Sequence, residues 1–420
     1  MNITHGLLSG HVLQRTKTGA SVTITGTADL NKTDHESGVS ITATISKGRT
    51  PLRGWSAKIV GKSSQGTFSV TLKGIPTGGP YTVTLTLGKQ RAVVKDVFVG
   101  DLWLMAGQSN MEGVGNLSDA PKPHPLVRNF NMDLRWSLAT DPLHHPLESP
   151  DRCHNTSGVQ QPLAERAAAK KSRLKGVGVG VYFGILMHRR NGVPQGLIAT
   201  AHGGTSMAQW DPAARTQGGD SLYYSMLESL RAVGQPLAGV LWYQGCSDAV
   251  EGATADVYSD RMQGLVAAVR ADLGQPKLPW ITVQIARFIG QHGGERQWNS
   301  VQDQQRRLPD LIAHLATVPA IDLELDDAIH VSGKAYALLA ERMANAAARL
   351  AHADKRALRE PQLVSVHDVP TATGPTLEVR FAQVVGGLRA PGLPLGFTLV
   401  DPDHQAHRVI YKTSLKGDCA

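Results

Sequence analysis

Residues 97–111 read VFVGDLWLMAGQSNM, a mainly apolar run up to Ala106 that is followed by Gly107, Gln108 and Ser109. An apolar run of this length with β-branched and aromatic residues predicts a strand buried on both faces, as in a parallel sheet. Gly107 permits a tight bend where the strand ends, so Ser109 would lie at the sheet edge with backbone N–H groups beside its hydroxyl. Ser109 is therefore a candidate nucleophile, although serine beside glycine and asparagine also occurs in ordinary turns.

A second segment, far downstream, supplies the partners that a nucleophilic serine needs. It reads Asp327-Ala328-Ile329-His330. A histidine has to remove the serine proton and a carboxylate has to orient that histidine, and an aspartate three residues before a histidine provides both from one short loop. Asp326 is a rival for Asp327, but the Asp-x-x-His spacing favours Asp327 and leaves Asp326 as a solvated or capping residue.

The pattern of the chain changes twice, which predicts three parts. Residues 1–95 alternate apolar and polar positions between Gly, Pro and Asn, and predict a β-sandwich-like domain. Residues 96–355 alternate apolar runs with helical patterns, and predict a parallel sheet with helices on both faces. Alternation returns in residues 356–420, which predict a small β-rich segment, short for a full domain.

The central part is predicted in more detail, because strand ends locate a site. Its strands cover 97–106, 195–201, 238–243, 280–285 and 313–320, and its helices cover 221–233, 255–273, 299–307 and 332–350. Ligands of an open α/β sheet bind beyond the carboxyl ends of its strands. Ser109, Gly204, Gln244 and Arg287 each follow such an end, so we expect one rim of the sheet to collect them.

Two further motifs lie at strand ends where an acyl-transfer site needs hydrogen-bond donors. Gly203-Gly204-Thr205-Ser206 contains paired glycines, which let a backbone N–H approach a substrate oxygen. Trp242-Tyr243-Gln244-Gly245 places a side-chain amide after the next strand. Donors aimed at the oxyanion of a tetrahedral intermediate contribute about 3–4 kcal/mol each.

Composition argues against several other classes of protein. The chain has 420 residues, 41% of them hydrophobic, and no apolar run long enough to cross a bilayer, so we expect no membrane partner. Its formal charge of +8 is dispersed, without the interleaved aromatic residues of a nucleic-acid groove. The basic cluster at 170–175 is interpreted as a solvated face. No signal peptide is visible, which leaves a cytoplasmic protein and a trimmed secreted or periplasmic form both open.

Metal and redox chemistry have little support in the sequence. Cys153, Cys246 and Cys419 show no metal-type spacing. The insertion at 116–175, rich in proline, histidine and charge, predicts a lid or a disordered segment. Its His144-His145 pair lacks a third spaced ligand, so no metal site is predicted.

With these blocks in order, the chain resembles the sialate O-acetylesterase family, a carbohydrate acetylesterase branch of the SGNH hydrolases. The blocks are Gly100-Asp101-Leu102-Trp103 before Gly107-Gln108-Ser109-Asn110-Met111, Gly203-Gly204-Thr205 with Trp210, Trp242-Tyr243-Gln244-Gly245, and Asp327 to His330. The resemblance implies an SGNH-type, flavodoxin-like three-layer α/β/α domain flanked by β-rich N-terminal and C-terminal segments. It also implies hydrolysis of acetyl esters of sugars, such as sialic acid or acetylated xylan, through an acetyl-enzyme and without a metal or other cofactor.

The resemblance also implies roles for individual residues. Ser109 is the nucleophile, His330 the general base and then acid, and Asp327 the carboxylate that orients it. The oxyanion donors are the N–H groups of Ser109 and Gly204 and the side chain of Gln244. The candidate substrate contacts are Gln108, Asn110, Trp210 and Arg287, with core packing as the alternative for the tryptophan and an ion pair with an aspartate as the alternative for the arginine.

One position departs from the family pattern. Cys246 follows the Gln-Gly pair where the family commonly has glutamate. It is interpreted as a small buried hydrophobe in a repacked turn, with a reactive thiol as the alternative. Two rival functions stay open, a glycan-binding protein that has lost turnover and a short-chain lipase or lysophospholipase. The sugar and the oligomeric state are not predicted.

Overall fold

The computed structural model describes residues 1–29, 38–155, 163–290, 295–371, 374–390, 392–401, 406–407 and 409–416. The chain divides into two compact units, residues 1–355 and residues 356–420. Cys419, the last of the three cysteines, lies outside the described residues.

Antiparallel strands build the N-terminal part of the first unit. They are β1 Asn2–His5, β2 Val12–Gln14, β3 Ala20–Thr27, β4 Ser40–Lys47, β5 Thr50–Pro51, β6 Lys58–Ser64, β7 Thr67–Ile75, β8 Gly78–Leu87 and β9 Gln90–Gly107. Their order is β1-β3-β7-β6-β4-β8-β9, with β2 parallel to β9 and β5 paired with β4. Side chains alternate between core and surface along β3, and the buried ones pack into a core that includes Ile24, Phe68 and Leu85.

Strand β9 links this part to the central sheet. It runs for 18 residues, mostly exposed or half-buried at first and fully buried from Val97 to Gly107. Burial becomes continuous because neighbouring parallel strands flank this half on both edges and helices cover its faces. The domain boundary predicted between residues 95 and 96 falls inside β9, where burial becomes continuous.

The central sheet is parallel apart from one edge strand. Besides β9 it contains β11 Val127–Phe130, β12 Trp136–Leu138, β14 Gln195–Ala199, β15 Gly239–Tyr243, β16 Trp280–Gln284 and β17 Leu315–Pro319, and two short strands, β10 Gly115–Asn116 and β13 Lys175–Val177, pair apart from it. The row β14-β9-β15-β16-β17 has the flavodoxin-like order 2-1-3-4-5. That order reverses at β9, so a crevice opens beyond its carboxyl end.

Helices cover both faces of this sheet. They are α1 Ser109–Glu112, α2 Leu163–Ser172, α3 Val179–Asn191, α4 Leu222–Val233, α5 Gly252–Ala255, α6 Tyr258–Asp272, α7 Glu295–Leu311 and α8 Tyr336–His352. Helix α3 packs with α8 and α6 packs with α7, one pair on each face. The three-layer α/β/α fold predicted from the sequence is confirmed.

Helix α3 was not among the predicted helices because its pattern lacks a wide polar face. Most of its residues are buried. A Cβ at Gly180 would lie 2.5 Å from the side chain of Met105 in β9, and one at Gly184 would lie 2.5 Å from that of Val127 in β11. Glycine therefore lets this helix approach the sheet closely, at the cost of the amphipathic period that marks a helix in sequence.

The insertion at 116–175 differs from the predicted lid. In its described part, 116–155 and 163–175, β11 pairs in parallel with β14, and β12 returns antiparallel to β11. Val127, Phe130 and Trp136 join the main core. The segment extends the sheet because strand pairing satisfies N–H and C=O groups that an open edge would leave unpaired.

The described part of the second unit contains one long hairpin and one short antiparallel pairing. Strands β18 Gln362–Thr371 and β19 Gly374–Ala382 form a hairpin whose last paired residues are Thr371 and Gly374. Strand β20 Leu399–Val400 pairs with β21 Ala406–His407. Most of the described side chains in these strands are exposed or half-buried.

Candidate active site

Backbone contacts hold the turn that carries Ser109 against the neighbouring strand. Strand β9 ends at Gly107, whose φ is +133°, and a Cβ there would come within 2.3 Å of the carbonyl oxygen of Tyr243. The N–H of Gln108 donates to the same carbonyl over 2.9 Å. Helix α1 then begins at Ser109, a position whose N–H has no intrahelical acceptor.

Ser109, His330 and Asp327 lie in one hydrogen-bonded row. Ser109 Oγ is 3.0 Å from His330 Nε2, and His330 Nδ1 is 2.8 Å from Asp327 Oδ2. The serine and the histidine are 221 residues apart in the chain and meet at the carboxyl edge of the sheet. This geometry allows the imidazole to take a proton from the hydroxyl while the carboxylate fixes the ring.

The carboxylate of this row stays ionised. Partial burial raises the pKa of Asp327, but hydrogen bonds from the His330 ring and from the N–H groups of Ile329 and His330 outweigh burial and lower it to about 2. Asp326 is bonded elsewhere, since its Oδ2 accepts from the amide of Asn116 over 3.3 Å and from the N–H of Gly333 over 3.4 Å. Of the two aspartates, only Asp327 is hydrogen-bonded to the His330 ring.

The paired glycines after β14 lie beside Ser109. A Cβ on Gly203 would lie 3.5 Å from Ser109 Cβ, whereas one on Gly204, where φ is +71°, would meet nothing within 4 Å. Hydrogen bonds that hold the turn include one from the N–H of His202 to the carbonyl of Gly107 over 3.0 Å and one from Thr205 Oγ1 to the carbonyl of His202 over 2.8 Å. Gly204 therefore faces open space next to the candidate nucleophile.

Gln244 differs from its predicted role as an oxyanion donor. The residue is fully buried, and its Nε2 donates to the carbonyl of Thr205 over 3.0 Å and to Asp248 Oδ2 over 2.5 Å. Both amide hydrogens are thus engaged within the protein. The cause is the buried carboxylate of Asp248, which accepts the Gln244 amide and also the N–H of Met207 over 2.9 Å.

Gln108, a predicted substrate contact, braces the turn after β15. Its Oε1 accepts the N–H of Gly245 over 2.9 Å and that of Ser247 over 3.3 Å. The residue is 3% exposed. Its contacts connect the Ser109 turn to the segment that follows Gln244.

Asn110, another predicted substrate contact, is fully buried. Its Oδ1 accepts the N–H of Val331 over 3.0 Å, and its Nδ2 donates to the carbonyl of Ile329 over 3.2 Å. The amide therefore binds the backbone on both sides of His330. This neighbour of Ser109 holds the histidine loop in place, and little of it is open to a substrate.

The two remaining predicted contacts are also occupied by the protein. Trp210 is fully buried, and its Nε1 donates to Thr205 Oγ1 over 3.0 Å, which agrees with core packing. Arg287 follows β16, and its guanidinium donates to the carbonyls of Ile321 over 3.1 Å and Leu323 over 2.5 Å. Arg287 thus lies at the predicted rim but is fastened to the loop after β17.

The described ranges offer neither a metal centre nor a membrane-spanning helix. They contain no group of three or more His, Cys, Asp or Glu side chains placed to hold a metal ion. Of the helices in the described part of the chain, none is long and apolar enough to cross a membrane. His144, from the predicted histidine pair, donates through Nδ1 to the carbonyl of Glu112 over 3.0 Å.

Comparison with known proteins shows the family of the chain. The model of the carbohydrate esterase family described as sialic acid-specific acetylesterase matches residues 99–349, more than half of the chain. The chain belongs to this family. It is a carboxylic ester hydrolase of the carbohydrate esterase class, as the sequence predicted.

Two relatives of this esterase cover different parts of it. A probable carbohydrate esterase from Arabidopsis thaliana is 28% identical over 267 residues, which is 58% of this chain and 89% of that protein. A solved carbohydrate acetylesterase from Xanthomonas citri is 22% identical, with a TM-score of 0.69, and the match covers 99% of this chain and 90% of that one. The second relative has the same fold over nearly the whole length of this esterase.

Cys246 of this esterase lies in the core behind the active-site edge. The residue is 2% exposed. Burial raises the pKa of its thiol to about 12, offset in part by hydrogen bonds from its own backbone and from the side chain of Asn110. These properties favour the buried hydrophobe over the reactive thiol.

We expect Cys246 to resist thiol reagents in the folded esterase. With a pKa of about 12, only about one thiol in 10⁴ is ionised at pH 8, and the side chain is enclosed. Iodoacetamide treatment at pH 8 followed by peptide mass spectrometry should find Cys246 unmodified in the native protein and modified after unfolding. Modification in the native state together with loss of activity would instead show a reactive thiol.

Two residues near the site were not singled out by the sequence. Glu112 ends helix α1, three residues after Ser109, and accepts the N–H of Gly203 over 2.7 Å. Arg173 forms an ion pair with Glu112 over 3.1 Å, with its own side chain 25% exposed. The interpretation of the basic cluster at 170–175 as a solvated face is therefore wrong for Arg173. The one sequence signal for these two residues was that Glu112 lies three positions after Ser109, directly after the turn motif.

Proposed function

We propose that this esterase hydrolyses acetyl esters of sugars with Ser109 as nucleophile, through an acetyl-enzyme. The observation that carries the proposal is the row in which His330 Nε2 lies 3.0 Å from Ser109 Oγ while Asp327 holds His330 Nδ1. A hydroxyl, an imidazole and an ionised carboxylate in this order form the arrangement that activates serine in acyl transfer.

In the first half of the reaction, Ser109 Oγ attacks the acetyl carbonyl and its proton passes to His330 Nε2. The carbonyl oxygen becomes an oxyanion, which the N–H groups of Ser109 and Gly204 stabilise. The intermediate collapses as the bond to the sugar oxygen breaks, and His330 returns the proton to that oxygen. The products are a free sugar hydroxyl and acetylated Ser109.

In the second half, His330 takes a proton from water while the water oxygen attacks the acetyl group. The same N–H groups stabilise the second oxyanion, and Ser109 leaves with the proton from His330. Acetate is released and the resting row is restored. Gln244 acts here as a support, since its amide ties Thr205 at the end of the glycine turn to Asp248.

We favour a neutral acetylated sugar over sialic acid as the substrate. Arg287, the predicted partner for a substrate carboxylate, is bonded to two backbone carbonyls. The next two residues are exposed and apolar, Phe288 at 45% and Ile289 at 61%, and the N–H of Ile289 donates to Ala328 between Asp327 and His330. The Phe288 ring stacks on Trp298, with ring centroids 5.1 Å apart. An exposed aromatic and aliphatic pair on a segment bonded to the histidine loop suits the C–H face of a sugar ring.

Acetate release from 4-nitrophenyl acetate, acetylated xylan and O-acetylated sialic acid tests the proposal. We expect release that disappears in Ser109→Ala, with xylan hydrolysed at least about tenfold faster than the sialic acid ester, because Arg287 already donates to two backbone carbonyls instead of meeting a substrate carboxylate. Faster release from the sialic acid would overturn the substrate preference alone.

The same assay decides between the two rival functions. A glycan-binding protein would bind xylan in a folded sample and release no acetate. A lipase or lysophospholipase would prefer esters with long acyl chains, so a series of 4-nitrophenyl esters from acetate to decanoate separates it from an acetylesterase. We expect the rate to fall steadily from acetate onwards.

A further inference from the structure

A carboxylate ties the glycine turn after β14 to the helix that Ser109 begins. Glu112 is the last residue of α1, and its Oε2 accepts a 2.7 Å hydrogen bond from the N–H of Gly203. One side chain therefore connects the element that carries the proposed nucleophile with the turn that carries the proposed oxyanion donor, Gly204.

The two glycines of this turn face different surroundings. A Cβ on Gly203 would lie 3.1 Å from Glu112 Oε2 and 3.5 Å from Ser109 Cβ, closer to the carboxylate than side chains normally pack. A Cβ on Gly204 would meet nothing within 4 Å. The carboxylate thus holds the closed side of the turn and leaves the other side open for substrate.

Arg173 holds this carboxylate in turn. Its guanidinium donates to Glu112 Oε1 over 3.1 Å and to the carbonyl of His144 over 3.0 Å, and His144 Nδ1 donates to the backbone carbonyl of Glu112 over 3.0 Å. The Glu112 and Arg173 side chains are only 13% and 25% exposed. Hydrogen bonds between charged groups that are shielded from water are stronger and more directional than those on the surface.

We propose that Glu112, held and neutralised by Arg173, is the residue that positions the Gly203–Gly204 turn for oxyanion stabilisation. The inference rests on the proposed serine mechanism. The bond to Gly203 fixes the peptide that precedes the one carrying the Gly204 N–H. An unpaired carboxylate so near Ser109 would repel the negative charge that forms in the transition state, and Arg173 offsets that repulsion.

Replacing Glu112 separates the hydrogen bond from the charge. Glu112→Ala removes the acceptor, and we expect kcat for 4-nitrophenyl acetate to fall about 10- to 100-fold with KM changed less than about threefold, because a displaced donor matters most in the transition state. Glu112→Gln keeps an acceptor for Gly203, and we expect it to restore kcat to within about fivefold of the unmodified protein.

Replacing Arg173 tests the charge balance. Arg173→Met leaves the carboxylate in place without its partner, and we expect kcat to fall about tenfold. The double variant Glu112→Gln with Arg173→Met removes both charges, so we expect it to be faster than Arg173→Met alone. A rescue by a second substitution identifies electrostatic coupling, which a loss of packing would not produce.

The exposed ion pair of Glu228 and Arg231 on α4 provides a matched control. Glu228→Ala and Arg231→Met should leave kcat unchanged, as exposed pairs contribute little. The inference is overturned if Glu112→Ala keeps kcat within twofold, or if the double variant is no faster than Arg173→Met. If Glu112→Ala does not fold, Glu112→Gln and the comparison of Arg173→Met with the double variant still test the inference. Absence of acetate release in the unmodified protein would refute the serine mechanism itself.

Discussion

We expect Ser109→Ala to lower kcat for acetate release by at least about 10⁴-fold, because the residual rate then comes only from substrate binding and the oxyanion donors. The reason is the position of Ser109 Oγ, which has His330 Nε2 at 3.0 Å to take its proton. Alanine keeps the Cβ that lies against the glycine turn, so the fold should not change. Acetate release measured with 4-nitrophenyl acetate, together with thermal unfolding, checks both statements.

His330→Ala and the double variant complete this test. We expect His330→Ala to lose about as much activity as Ser109→Ala, and the double variant to be hardly slower than either, because serine and histidine act as one unit. Losses that multiply in the double variant would show that the two residues contribute independently, which contradicts proton transfer between them.

We expect Asp327→Asn to lower kcat for acetate release by about 10²- to 10⁴-fold. Asp327 Oδ2 accepts from His330 Nδ1 over 2.8 Å, and an asparagine at this position either turns its NH₂ towards that nitrogen or binds the ring without a charge. The imidazolium that forms during the reaction would then lack a negative partner. Steady-state kinetics between pH 6 and 9 measure the loss, since the pKa of about 2 keeps Asp327 ionised over that range.

Asp326→Asn is the matched control, since it makes the same chemical change one residue earlier. The Asp326 carboxylate bonds Asn116 and Gly333, and asparagine can still accept from both. We expect kcat within about threefold of the unmodified protein. A larger loss in Asp326→Asn than in Asp327→Asn would contradict this assignment and give the orienting role to Asp326.

Much of the fold was predictable because hydrophobic patterns report burial directly. The apolar run before Ser109 is the fully buried half of β9, and the helical pattern at 332–350 is α8. Helix α3 and the pairing of β11 were not predicted, because a hydrophobic pattern reports only local features. The glycine contacts of α3 and the pairing of β11 with β14 depend on neighbours far away in sequence, which no local period shows.

The candidate site was predictable where its geometry is local. The Asp-x-x-His spacing works because Asp327 Oδ1 binds the N–H groups of Ile329 and His330, two and three residues ahead, and this places Oδ2 at the ring. Gln244 was misjudged because the direction of its amide depends on Asp248, which lies four residues later but is buried beside it. A side chain's position at a strand end does not fix where it points.

The sequence by itself determined the α/β class, because burial patterns report it, and the pairing of Asp327 with His330, because that contact spans only three residues. The family followed from the resemblance of the motif blocks. The fold was needed to bring Ser109 to His330, 221 residues away. Only the tertiary structure decided which amides and charges support them. It assigned Asn110 and Gln108 to bracing loops, engaged Gln244 with Asp248, and joined Glu112 to Gly203. The physical reason is that hydrogen bonds are short and directional, so partners from distant segments are set by how the segments pack.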